Sequence, residues 1–156
     1  MAQRRTGPCH LCGNITELTF EHVPPRAAFN KYPAIIARFE DTIKAESVDD
    51  IDRICGQKQQ RGLGSFTLCG KCNNDTGAWY GESYVQWAYQ GLIAAEWAKG
   101  KVSTNNCYKI YPLRVIKQIV SMFFSSGHAR FNEAQPELAR FVLDKERKYL
   151  EPDIRI

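Results

Sequence analysis

A chain of 156 residues, 44% hydrophobic and 24% charged, is long enough to bury a core and has the balance of a globular protein, not a disordered one. No window offers the roughly 20 apolar residues of a membrane span, and no apolar run follows the basic start, so neither an anchor nor a signal peptide is expected and a cytoplasmic location is. A net charge of +4 is too small to announce a nucleic-acid partner by itself.

In chain order, the pair Cys9-His10-Leu11-Cys12 comes first and ends on Gly13-Asn14, a turn signal. Residues 15–23, rich in Ile, Thr, Leu, Phe and Val, predict a short strand or hairpin that stops at Pro24-Pro25, which cannot donate to a ladder. Residues 26–38 predict one or two helical turns around Pro33. The stretch 39–64 is long and polar, a functional loop or an insertion. Its first half is acidic, with Glu40, Asp41, Glu46, Asp49, Asp50 and Asp52 against Lys44. A basic arm of Arg53, Lys58, Arg61 and Lys71 follows, suited to a phosphate backbone or simply to a solvated loop.

Residues 65–68 predict a strand that delivers the second pair, Cys69-Gly70-Lys71-Cys72. A helix is expected from about Cys72, loosened at Gly77 and Gly81. It firms over 82–99, where Tyr84, Val85, Ala88, Leu92, Ala95 and Glu96 recur at helical spacing before the Gly100 stop. Trp79, Tyr80, Trp87, Tyr89 and Trp97 suit core packing or base stacking. After a connector with a turn at Asn105-Asn106 and a strand beyond it, Pro112 opens a helix to 125. Its inward stripe is predicted as Val115, Ile116, Ile119, Val120 and Phe123. Pro136 opens a last helix to about 150, with Leu138, Phe141 and Val142 inward.

Six cysteines are present, and two Cys-x-x-Cys pairs among them are far more than chance supplies. A two-residue spacer lets both sulfurs of a knuckle face one tetrahedral ion, so Cys9, Cys12, Cys69 and Cys72 predict a structural zinc site. A disulfide framework fits a reducing compartment poorly, and a redox pair would need a βαβ context that is missing. His10 lies inside a knuckle whose site four thiolates already fill. Cys55 and Cys107 are read as structural or incidental. The fold class expected is α+β: a zinc-stapled core over residues 1–100 and a mainly helical extension over 101–156, either separate or part of the same domain.

Phosphodiester cleavage needs an activated water, neutralised phosphoryl charge and help for the leaving oxygen. Glu21-His22 offers a carboxylate and an imidazole at a strand end. Strand neighbours point to opposite faces, so a twist or bulge near Pro24-Pro25 is expected to bring both to one phosphate. Asn73, Asn74 and Asp75 follow Cys72 in the first helical turn, as ion ligands or as a plain N-cap. Four thiolates leave zinc no open position, so a catalytic ion would be a second, oxygen-liking metal, magnesium or manganese.

In order and spacing, Cys9/Cys12, Glu21-His22 with Pro24-Pro25, and Cys69/Cys72-Asn73 resemble the HNH endonucleases of the ββα-metal (His-Me finger) class, over residues 9–80. The resemblance implies a treble-clef-like core, His22 as general base, and Glu21 and Asn73 as ligands of Mg2+ or Mn2+, with Asn74 or Asp75 as substitutes for Asn73. It implies hydrolysis of DNA to 5′-phosphate and 3′-hydroxyl ends, and the basic residues Arg26, Lys58, Arg61 and Lys71 are the nucleic-acid contacts expected from charge. The family's middle asparagine falls at Ser65, so a serine hydroxyl or a backbone carbonyl would steady His22 instead. RNA is a further possible substrate, and a zinc module that grips nucleic acid or a protein partner without chemistry is the alternative function.

Overall fold

The computed structural model describes residues 5–44, 46–47, 49–50, 54, 56–101 and 105–150; Asp52, Arg53, Cys55 and the side chain of Asp41 lie outside the described residues. Strand β1 (Arg5–Pro8) leads into a tight turn and returns as β2 (Ile15–His22). The turn carries the first cysteine pair. It closes with the Cys9 N–H donating to the Asn14 carbonyl and the Gly13 N–H to Cys9, and Gly13 has φ of +79°, a conformation that costs a residue with a Cβ far more.

The chain then makes turns, a short strand β3 (Ala34–Ile36), a single helical turn α1 (Phe39–Thr42) and strand β4 (Gln57–Gln59), which pairs antiparallel with β3. Strand β5 (Gly64–Cys69) completes the main antiparallel sheet in the order β1-β2-β5. Its last residue caps the next helix: the Cys69 sulfur accepts the Cys72 N–H and starts α2 (Gly70–Thr76). A π-helical segment, Gly77–Gly81, joins α2 to α3 (Glu82–Ala98). Helix α4 (Pro112–Ser126), the short α5 (Phe131–Ala134) and α6 (Pro136–Leu143) follow.

One hydrophobic cluster joins both halves of the chain. Cys9, Leu11, Leu68 and Cys72 from the sheet and α2 pack with Tyr80, Val120, Phe124, Phe141 and Val142 from the helices. Phe124 is fully buried, and truncating such a side chain to alanine costs about 3–5 kcal/mol. Tyr80 donates its hydroxyl to the Val142 carbonyl, tying the π segment to α6. Lys117, on α4, is fully buried, and its ammonium donates to the carbonyls of Asp144 and Lys145 just past the end of α6. Burial lowers its pKa, and the carbonyls supply the charge-assisted partners that a buried cation requires.

Several expectations change. The strand that leads into the first cysteine pair, β1, arises from residues read only as a basic lead. Residues 26–38 give turns and then β3 instead of helical turns. No strand follows Asn105-Asn106, because the Gln90 amide takes that role: its Oε1 accepts the Lys109 N–H and its Nε2 donates to the Lys109 carbonyl. The last helix ends at Leu143, not about 150, because Lys117 draws the following carbonyls out of helical pairing. The loosening expected at Gly77 and Gly81 is the π segment that those two glycines bound. Helix α4 turns further than its apolar pattern predicts: Ile116 and Phe123 are 43% and 55% exposed, while Lys117, Gln118, Ser121 and Ser125 face inward. Among the described residues no helix is long and apolar enough to cross a membrane.

Candidate functional site

The four cysteines of the two pairs converge. Their Sγ atoms all lie within 4.8 Å of one another, and sulfurs about a tetrahedral zinc sit roughly 3.8 Å apart, so only a modest contraction is needed. The geometry follows from the sheet. The His10 N–H donates to the Thr67 carbonyl and the Cys69 N–H to Cys9 Sγ, which docks the first turn on the strand that ends in Cys69. A hydrogen bond from the Cys72 thiol, helped by backbone N–H groups, draws the Cys9 thiol down to about 4, and the same bond together with burial raises Cys72. Burial raises Cys12. The pocket therefore stabilises a thiolate, the form that binds metal. His10 lies outside the cluster, its Nδ1 donating to the Phe124 carbonyl, and Cys107 is exposed outside it as well.

Next to this cluster, β2 and α2 border a cavity of about 450 Å3 lined in part by Glu21, His22, Arg26, Asn73, Glu82 and Gln118. The bulge expected near Pro24-Pro25 is not what the strand shows; its register shift lies before both Glu21 and His22. Between Thr19 and Phe20 the register with β5 shifts by one, leaving Thr67 as the extra residue, so Phe20 faces Phe66, Glu21 faces Ser65 and His22 faces Gly64. Alternation persists beyond the bulge. Phe20 and His22 share one face, their rings edge to face at 5.0 Å, while Glu21 turns inward to α4, where Ser125 donates to its Oε2 at 3.0 Å. Both Glu21 and His22 nonetheless border the same cavity.

Glu21 is 6% exposed, and burial, partly offset by the Ser125 hydroxyl, raises its carboxyl to about 7. A buried carboxylate with no cation beside it is held partly neutral, and a bound cation reverses that. Asn73 donates its Nδ2 to Thr19 Oγ1 and more weakly to the Phe20 carbonyl, which ties α2 to β2 and turns Oδ1 away from those acceptors. The helix begins at Gly70 with Cys69 as its cap, so Asn73 is not an N-cap. These oxygens suit a hard divalent cation.

The imidazole is held by a backbone carbonyl. His22 Nε2 lies 3.0 Å from the Arg61 carbonyl oxygen. Because that oxygen only accepts, Nε2 carries the proton and Nδ1 keeps its lone pair. Ser65 does not take the role of a middle asparagine: it sits opposite Glu21 in register and borders a different cavity.

Asn30 performs a clamping task that sequence reasoning missed. Its Nδ2 donates to the carbonyls of Pro24 and Leu63, and its Oδ1 accepts the Leu63 N–H, so the loop bearing Arg61 is fastened beside His22. Gly62 in that loop has φ of +90°, and a Cβ there would stand 2.1 Å from the Asn30 carbonyl oxygen. Phe29-Asn30-Lys31 carries no motif, and the partner that takes two of its three bonds, Leu63, lies 33 residues away, so nothing local marks it.

Of the four expected cationic contacts, Arg26 borders the Glu21 cavity and also a neighbouring one of about 520 Å3. Arg61 borders only the second, with Phe20, Phe66 and His22. Lys58, on β4, and Lys71 border neither, and Lys71 pairs with Asp75 at 2.5 Å. Of the substitutes for Asn73, Asp75 is therefore engaged elsewhere, and neither Asn74 nor Asp75 borders the cavity. Tyr80 among the aromatic residues is core, whereas Trp97 is exposed on α3. No protein-family model, curated protein or solved structure matches the chain.

Proposed function

We propose that this protein is a metal-dependent endonuclease of HNH type that hydrolyses phosphodiester bonds in DNA, on a treble-clef-like core held by a structural zinc. The observation that carries this reading is the cavity shared by Glu21, His22 and Asn73 beside the four-cysteine cluster. His22 has its Nε2–H engaged by the Arg61 carbonyl, so its free Nδ1 takes the proton from an attacking water. Glu21 and Asn73 hold Mg2+ or Mn2+ by oxygen. When bound, that ion supplies neutralising charge for the phosphoryl and leaving oxygens. Arg26, which borders both cavities, attracts the phosphate backbone, and the Phe20 ring stands edge to face on the imidazole with Phe66 packed behind it on Phe20. Zinc would be held by the four thiolates of Cys9, Cys12, Cys69 and Cys72 and would take no part in the reaction beyond fixing α2 and the end of β5 against the β1–β2 turn.

The test is incubation of the zinc-loaded protein with supercoiled plasmid, with and without Mg2+ or Mn2+. Metal-dependent nicking that leaves 5′-phosphate ends supports the reading. No cleavage of any DNA offered, by a folded and zinc-loaded protein, overturns it; cleavage confined to RNA would move the substrate and keep the chemistry.

A further inference from the structure

Helix α4 buries a row of polar side chains where its sequence offers apolar ones. Lys117 serves the end of α6, and Ser125 donates to Glu21. Gln118, the residue after Lys117, is only 3% exposed, and its Oε1 has no hydrogen-bond partner. Buried amide oxygens are nearly always paired, so an orphan of this kind marks a position where a positive or donating group belongs. Gln118 borders the cavity of Glu21 and Asn73. Its Oε1 lies 4.0 Å from where a Cβ at Gly81 would stand, and a Cβ at Gly77 would meet nothing within 4 Å. Gly81 thus puts no side chain in front of the orphan oxygen, and Gly77 puts none into the cavity that both glycines border.

We propose that Gln118 Oε1 is a third protein ligand of a hard divalent cation, beside one Glu21 carboxylate oxygen and Asn73 Oδ1. This rests on reading the cavity as the ion site of a nuclease, and it gives the C-terminal helices a part in that site. The donor set is one carboxylate and two amide oxygens, without nitrogen or sulfur, which favours Mg2+ or Mn2+ over zinc. Two of the three donors are aimed by a bond made at their other end: Ser125 holds Glu21 Oε2, and Thr19 holds Asn73 Nδ2. Few protein ligands suit such an ion, whose remaining positions are taken by water and phosphate oxygens. Glu82 also borders the cavity, but it is exposed and receives the Gln86 amide, so it is not assigned as a ligand.

The experiment is titration of zinc-loaded full-length protein with Mn2+, read by electron paramagnetic resonance, for the parent, Gln118→Met, Gln118→Glu and Glu21→Gln. Gln118→Met keeps the length of the side chain and removes its oxygen; Mn2+ affinity is expected to fall at least about tenfold with zinc retained. Gln118→Glu keeps an oxygen at that place and is expected to bind at least as tightly as the parent, which preserves the test if the methionine variant does not fold. Parent-like binding by folded Gln118→Met, or weaker binding by Gln118→Glu, overturns the assignment of Gln118. If Glu21→Gln still abolishes binding in that case, the ion site itself stands. A parent that binds no Mn2+ overturns the ion site and this inference together.

Discussion

Replacing Asn30 with alanine removes the three hydrogen bonds that fasten the loop behind His22: to the Pro24 carbonyl at 2.6 Å, to the Leu63 carbonyl at 2.7 Å and from the Leu63 N–H at 2.6 Å. Each such bond contributes about 1 kcal/mol net. Asn30 is buried, so losing all three costs about 3 kcal/mol, falling toward about 2 where water reaches the stranded carbonyls. The second effect is positional. The Arg61 carbonyl loses its anchor, and an imidazole misplaced by about 1 Å is expected to lower the cleavage rate on the order of 10²-fold. Urea unfolding measures the first effect, and plasmid nicking well below the unfolding midpoint measures the second. Asn30→Asp puts a carboxylate oxygen against the Pro24 and Leu63 carbonyls and is expected to be no better than alanine. A parent-like urea midpoint in Asn30→Ala would refute the clamp. A full nicking rate in the folded but destabilised variant would refute its link to His22.

Stability should depend on pH through Glu21, whose carboxyl is raised by burial from 4.5 to about 7. An acid raised on folding stabilises fully below its unfolded value, and that contribution is lost as pH rises through the folded value. Without a divalent ion, the parent is expected to lose about 1 kcal/mol relative to Glu21→Gln between about pH 6 and about pH 8.5. Urea unfolding of the zinc-loaded proteins at the two pH values checks this, and a difference that does not change with pH would contradict it. Zinc should be structural: elemental analysis is expected to find one zinc per chain, and chelation to unfold the protein cooperatively in circular dichroism, since such sites supply on the order of 10 kcal/mol. An unchanged melting curve after complete zinc removal would show that the four sulfurs do not carry the fold.

What the sequence made legible was local or strongly constrained. Cys-x-x-Cys spacing sets two sulfurs to one side of a turn, so the cluster of Cys9, Cys12, Cys69 and Cys72 could be read before any fold was known. Proline at the first helical position and glycine just past the end located α4, since both act through their own backbone. The hidden features depend on partners far along the chain. Asn30 meets Leu63, Gln90 stands in for a strand beside Lys109, and Lys117 stops α6 by bonding to carbonyls 27 and 28 residues away. The face that α4 buries was misread for a related reason. Apolar periodicity pointed to Ile116 and Phe123, but the partners that decide the rotation are Glu21 and the carbonyls beyond α6, for which Ser125 and Lys117 are the match. Glu21-His22 is legible as a carboxylate beside an imidazole, while the bulge upstream of it, where Thr67 is extra in β5, has no local mark.

The most direct measurement is the Mg2+- or Mn2+-dependent nicking rate of supercoiled plasmid by the parent and by His22→Ala, compared at equal zinc content and equal circular dichroism. The parent is expected to nick only with the divalent ion, and the variant to be slower by about 10²-fold or more, as removal of a general base entails. Equal rates in the two proteins, or no cleavage by either while both remain folded and zinc-loaded, would contradict the account.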